Sequence, residues 1–111
     1  MQMLVLVLNN ESYLEDLLSE LEKKGIRGAT IIDSTGMGRV LHSNDNIPIF
    51  GGIKFLMNDK RPFNKTIFTV IKDNQVEIAT KAIKDVVGDL NEPGAGILFT
   101  LPVSYCEGIN L

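Results

Sequence analysis

Three short runs of this chain are apolar at nearly every position, and this pattern limits the fold more than any other feature of the sequence. Met3-Leu4-Val5-Leu6-Val7-Leu8 is too short for a typical buried helix, has a β-branched residue at every second place, and stops at Asn9-Asn10. Lys65-Thr66-Ile67-Phe68-Thr69-Val70-Ile71 and Ile97-Leu98-Phe99-Thr100-Leu101 have the same character, and Pro102 ends the last of them. A strand with one wet face alternates apolar and polar residues, whereas a strand covered on both faces does not. These strands therefore require cover on two sides.

The remaining segments supply cover for only one side. Ser12-Tyr13-Leu14-Glu15 has the spacing of a capping box, and Leu14, Leu17, Leu18 and Leu21 follow on one helical face until Lys23-Lys24-Gly25. Ala29-Thr30-Ile31-Ile32-Asp33 reads as a second strand, leading into the paired glycines of Thr35-Gly36-Met37-Gly38-Arg39. From Val40 to Phe63 no single periodicity holds, so an excursion over about 36–63 is expected. Asn74-Gln75-Val76-Glu77 caps a second helix carrying Val76, Ala79, Ile83, Val86 and Val87, closed by Gly88. The order is β-α-β-β-α-β. With right-handed crossovers, the simplest layout is an α+β, ferredoxin-like antiparallel sheet with two helices on one face, in a single domain over residues 1–111.

The helix-free face then needs another occupant. Left open, it exposes on the order of several hundred Å² of apolar surface, as much as a soluble monomer normally tolerates or more. At roughly 25 cal/mol per Å², covering it yields several kcal/mol per subunit before association costs. Self-association through the sheets is the expected solution, and any number of copies that covers the face satisfies it.

Composition excludes several classes of partner. A net charge of -3, with both signs interspersed, gives little attraction for nucleic acid or anionic lipid. The apolar start is too short for a signal peptide or membrane span, and the single cysteine, Cys106, cannot form an internal disulfide. Cytoplasm is the expected compartment. His42 is the only histidine, so no multi-histidine metal site exists, and neither metal nor cofactor is expected. Cys106 lacks an evident base beside it, and no acid, base and nucleophile assemble, so the chain does not read as an enzyme. Lys65 reads as a solvated charge at a strand end, close enough to the excursion to merit substitution.

Two glycine segments carry a resemblance to a known family. Ser34-Thr35-Gly36-Met37-Gly38-Arg39 and Gly94-Ala95-Gly96-Ile97-Leu98-Phe99 resemble two motifs of the PII signal-transduction (nitrogen regulatory protein P-II) family. In that family the first motif opens the long T-loop and the second carries the nucleotide-binding B-loop into the last strand. The spacing between them also fits, so the resemblance covers nearly the whole chain. It implies a homotrimer with sheets facing inward, effector sites in clefts between subunits, and a loop that docks on a transporter or metabolic enzyme, in nitrogen metabolism.

By the same resemblance Thr30, Gly36, Met37, Gly38 and Arg39 line one side of a nucleotide cleft, and Gly94, Ala95 and Gly96 the other. Glycine turns can form an anion-binding nest, and an arginine can hold phosphate with two donors. A turn leaving one strand and a bulge or tight approach to another are the alternative readings of the same residues. Ile97 stands where the family places a phosphate-binding lysine, and Val40 where it places a glutamine used for magnesium and 2-oxoglutarate. The segment from Val103 to Leu111 has no arginine, where the family's C-loop is basic. These changes argue against the usual magnesium-ATP and 2-oxoglutarate mode and leave ATP, ADP or AMP as simpler effectors. Ile47, Ile49, Phe50, Ile53 and Phe55 either pack on the trimer or form the partner-binding surface. A trimer that binds its partner without any nucleotide is the alternative function.

Overall fold

A computed structural model describes residues 1–45 and 64–111, the side chains of 42–45 excepted. Strand β1 (Gln2–Leu8) leads through a 3-10 turn (Glu11–Tyr13) into helix α1 (Leu14–Lys23) and strand β2 (Thr30–Ser34). Helix α2 (Met37–Asp45) follows, then strand β3 (Asn64–Ile71), a 3-10 turn (Asp73–Gln75), helix α3 (Val76–Val87) and strand β4 (Gly96–Pro102). The sheet has the order β2-β3-β1-β4, and every neighbouring pair is antiparallel. The α+β ferredoxin-like architecture is the one its sequence pattern implies.

The core lies between the sheet and two helices. Leu4, Leu6 and Leu8 of β1 and Ile67 and Ile71 of β3 meet Leu17 and Leu21 of α1 and Ala79, Ala82 and Ile83 of α3. Each fully buried leucine or isoleucine contributes about 1.5–3 kcal/mol, so this layer holds the subunit together. One polar group enters it. Thr69 is buried, and its hydroxyl donates to the carbonyl of Gly28, which removes the cost of an unpaired oxygen.

Helix ends explain where the chain turns. Past α1, Gly25 adopts a positive φ of 91°, the Ile26 N–H reaches the Leu21 carbonyl and the Gly25 N–H reaches that of Glu22, both at 3.0 Å. This is a Schellman closure, and it also delivers Ile26 into the core beside Leu21. The start of the first helix differs from the expected capping box at Ser12. The Asn10 side-chain oxygen accepts from the Ser12 N–H at 3.1 Å, which tightens the first turn into a 3-10 form and moves the α-helix start to Leu14. At α3 the Gln75 side chain accepts from the Lys72 N–H at 2.8 Å, so capping begins two residues before Asn74.

A third helix departs from the expected aperiodic excursion. Met37–Asp45 is helical, and Gly36 begins it: the Val40 N–H donates to the Gly36 carbonyl at 3.1 Å. Neither Gly36 nor Gly38 has a positive φ, so the pair does not make the special turn that its composition suggests. Methionine, arginine and leucine are good helix formers, and they outweigh the single glycine inside the helix.

Residue pairing fixes what each face of the sheet presents. The helix-free face carries Val5 between Phe68 and Phe99, Met3 between Val70 and Leu101, and Val7 between Thr66 and Ile97. Ile97 is 60% exposed, Phe99 43% and Leu101 44%. The described subunit thus keeps the β4 row of this apolar face wet, whereas Val5, between the two phenylalanines, is buried.

Candidate functional site

Antiparallel pairing gathers one end of each strand into a single rim. Ser34 at the end of β2 pairs with Asn64 at the start of β3, and Leu8 at the end of β1 pairs with Lys65 on one side and Gly96 on the other. The two glycine segments flank this rim from opposite edges of the sheet, one following Ser34 and the other preceding β4. They lie at the same end of one subunit.

Polar side chains cross the rim between them. The Asn9 amide donates to the Gly94 carbonyl at 2.9 Å, and the Asn64 amide donates to the Asn9 oxygen at 3.3 Å. The Ser34 hydroxyl donates to the Asn64 side-chain oxygen and lies 2.6 Å from the Thr66 hydroxyl. On the helix side of the same rim, Lys65 pairs with Asp33 and stands 3.7 Å from Glu11. The hydrogen bond to Asp33 is the main cause that raises the Lys65 pKa, with the charges of Asp33 and Glu11 acting in the same direction. Lys65 is therefore an ion-paired residue, not a solvated strand-end charge, and its ammonium is engaged by carboxylates.

The Gly94–Gly96 turn is shaped by two different constraints. Gly94 has a φ of 77°, and the Ala95 N–H donates to the Glu92 carbonyl at 3.1 Å, so that donor is already engaged inside the turn. At Gly96 a Cβ would stand 2.4 Å from the Val7 carbonyl oxygen, closer than any side chain permits. The position thus makes a tight entry into β4, against the backbone of β1. Beside it, Lys84 lines a groove with Gly88, Leu90, Gly96 and Ile97.

The other candidate residues are spread more widely. Met37 and Gly38 are exposed and Arg39 is half-buried on the first turn of α2. Thr30 lies opposite Phe68 at the start of the edge strand β2, four residues or about 13 Å along the strand from Ser34. It lines a groove of about 600 Å³ at the opposite end, with Arg27, Gly28, Lys72 and Leu111. One subunit therefore brings Gly36–Arg39 and Gly94–Gly96 to one rim and leaves Thr30 apart. Ile47, Ile49, Phe50, Ile53 and Phe55 lie outside the described residues. Asn9 and Asn64 were absent from the sequence-based site; their positions at adjoining ends of two antiparallel strands were the available signal.

Among the described residues, no three histidine, cysteine or acidic side chains cluster as a metal site, and no helix is long and apolar enough to cross a membrane.

A four-stranded antiparallel sheet with two helices on one face and glycine segments at a shared rim defines the ferredoxin-like class to which this chain belongs. The sequence model for Nitrogen regulatory protein P-II matches residues 1–110. The chain belongs to that family of signal-transduction regulators. Among solved structures, a PII protein of Arabidopsis thaliana bound to citrate is similar, at 26% identity and a TM-score of 0.61, covering 93% of this chain and 75% of the plant chain. No curated protein matches the sequence.

Proposed function

We propose that the chain is a cytoplasmic PII-type regulator that acts as a homotrimer of single-domain subunits. It binds a small effector, most simply ATP, ADP or AMP, in clefts between subunits and controls a partner enzyme or transporter of nitrogen metabolism through the excursion after β2. The observation that carries the assembly is the wet apolar face. Ile97, Phe99 and Leu101 stand in one row along β4, at the sheet's edge, and are 43–60% exposed in a single subunit. Covering such a row with identical rows from other copies removes the exposure and creates crevices along the β2 and β4 edges.

Those crevices explain why the candidate residues are split within one subunit. The rim holding Gly36, Met37, Gly38, Arg39, Gly94, Ala95 and Gly96 supplies one wall, and Thr30 with its groove supplies the other from the neighbouring copy. Arg39 is the residue assigned to the anion. Calorimetric titration of ATP, ADP and AMP into the wild type and Arg39→Ala is the test. Binding that weakens at least tenfold in the variant is expected, as for loss of a charge-assisted contact worth about 1.5–3 kcal/mol. Absence of heat with all three nucleotides sinks the nucleotide assignment. Citrate belongs in the same titration, because the Arabidopsis relative was crystallised with it.

A specific observation favours a second reading, a trimer that holds its partner without a nucleotide. Ile97 follows the glycine turn with an apolar, exposed side chain, and nearby Lys65 is engaged by Asp33 and Glu11. Partner capture that is indifferent to added nucleotide supports this reading; release triggered by nucleotide counts against it.

A further inference from the structure

Two asparagines connect the glycine segments, and the chemistry of the amide group fixes the direction of every link. The Asn9 amide nitrogen donates to the Gly94 carbonyl, leaving its oxygen to accept from the Asn64 nitrogen. The Asn64 oxygen accepts from the Ser34 hydroxyl. Having given its only proton, Ser34 accepts from Thr66, whose hydroxyl lies 2.6 Å away. All donors thus point one way, from Thr66 to Gly94, and hydrogen bonds aligned head to tail strengthen one another. Thr66, Ser34, Asn64 and Asn9 are each half-buried, so water competes only partly for these links. The start of α2 abuts the middle of the row: a Cβ on Gly36 would lie 3.9 Å from the Asn64 amide nitrogen.

We infer that Asn9 and Asn64 are positioning residues that tie the Gly94–Gly96 turn to the end of β2, so that the geometry of each glycine segment depends on the other. The tie is a property of the free protein; only its use, passing effector occupancy from one segment to α2, rests on the regulator reading above. Every donor in the row is a side-chain group, and the row runs beside the backbone ladder between segments about 60 residues apart in sequence, so a side-chain substitution cuts it while the strand pairing stays.

The experiment is amide hydrogen exchange on the full chain with no nucleotide present. In Asn64→Asp the side chain keeps its shape and still accepts from Ser34, but it cannot donate to Asn9. The Ala95 amide, held by Glu92, is expected to exchange about fivefold faster, the factor that one net hydrogen bond carries at 25 °C. The Val40 amide at the start of α2 is expected to follow, while Leu6 and Ile67 in the core keep wild-type rates. Asn64→Gln retains both donor and acceptor and is expected to restore most of the Ala95 protection. Wild-type exchange at Ala95 in Asn64→Asp, with the core intact, overturns the tie. Should the core also loosen, Asn9→Asp leaves β3 untouched and decides by the same readout: faster Ala95 exchange upholds the tie, and no change overturns it. Calorimetry with ATP on the wild type is read separately. No heat there, with Ala95 still responding, removes the nucleotide reading and leaves the tie standing.

Discussion

The two faces of the sheet are built from alternate residues of the same strands, yet they meet different surroundings. On the covered face Leu4, Leu6, Leu8, Ile67 and Ile71 are at most 1% exposed beneath α1 and α3. On the bare face Phe99, Leu101 and Ile97 keep 43–60% of their surface. The apolar character of the two faces is similar; only the cover differs. The covered face accounts for the folding of one subunit, and the bare face accounts for what a subunit must do next. A side chain's contribution should therefore depend on protein concentration on one face and not on the other.

The largest expected effect tests the covered face. Leu17→Ala should lower subunit stability by about 3 kcal/mol in a urea melt, because the closed layer cannot collapse into the cavity, and the loss should not vary with protein concentration. On the bare face, Phe99→Asp should weaken subunit association about a hundredfold, as a charge is carried into an apolar contact, while far-ultraviolet circular dichroism of the subunit stays unchanged. If Phe99→Asp instead unfolds the dilute subunit as Leu17→Ala does, the two faces are not separate in function.

Glycine substitutions test the rim where the faces meet. Gly96→Ala should cost more than Gly94→Ala in the same melt. At Gly94 an added Cβ meets nothing within 4 Å, leaving only the left-handed backbone cost of about 1–2 kcal/mol. At Gly96 the Val7 carbonyl must also be pushed away, which adds about 1–3 kcal/mol. The smallest effect is electrostatic. Lys65 has its pKa raised by Asp33, so its contribution is fully present below the ordinary lysine value of 10.5 and is lost as pH rises through the higher folded value. The stability difference between wild type and Lys65→Met, followed by thermal melts, should therefore be constant at neutral pH and shrink only above about pH 10.5.

The sequence made the sheet legible because continuous apolar runs admit few alternatives, and the leucine spacing of α1 and α3 identified the residues that now cover it. Local chemistry was harder to read. Gly36-Met37-Gly38 has the composition of a turn, but in the structure Gly36 starts a helix, since a glycine permits unusual angles without requiring them. Ser12 has the spacing of a cap, but Asn10 holds the proton donor, because an asparagine oxygen two residues upstream reaches the same N–H. The relay through Asn9 and Asn64 was hidden for a different reason. Its members are 55 residues apart and belong to no motif, and only strand register makes them neighbours. The resemblance groups Thr30 with the glycine segments, whereas its place at the start of β2 puts it in a separate groove of the same subunit.

Sedimentation equilibrium of the wild type at micromolar concentration, beside Phe99→Asp, bears most directly on whether copies of the chain cover the bare face. Three subunit masses for the wild type and one for the variant are predicted. A wild type that sediments as one folded subunit contradicts the account, and the shared crevices are lost with it.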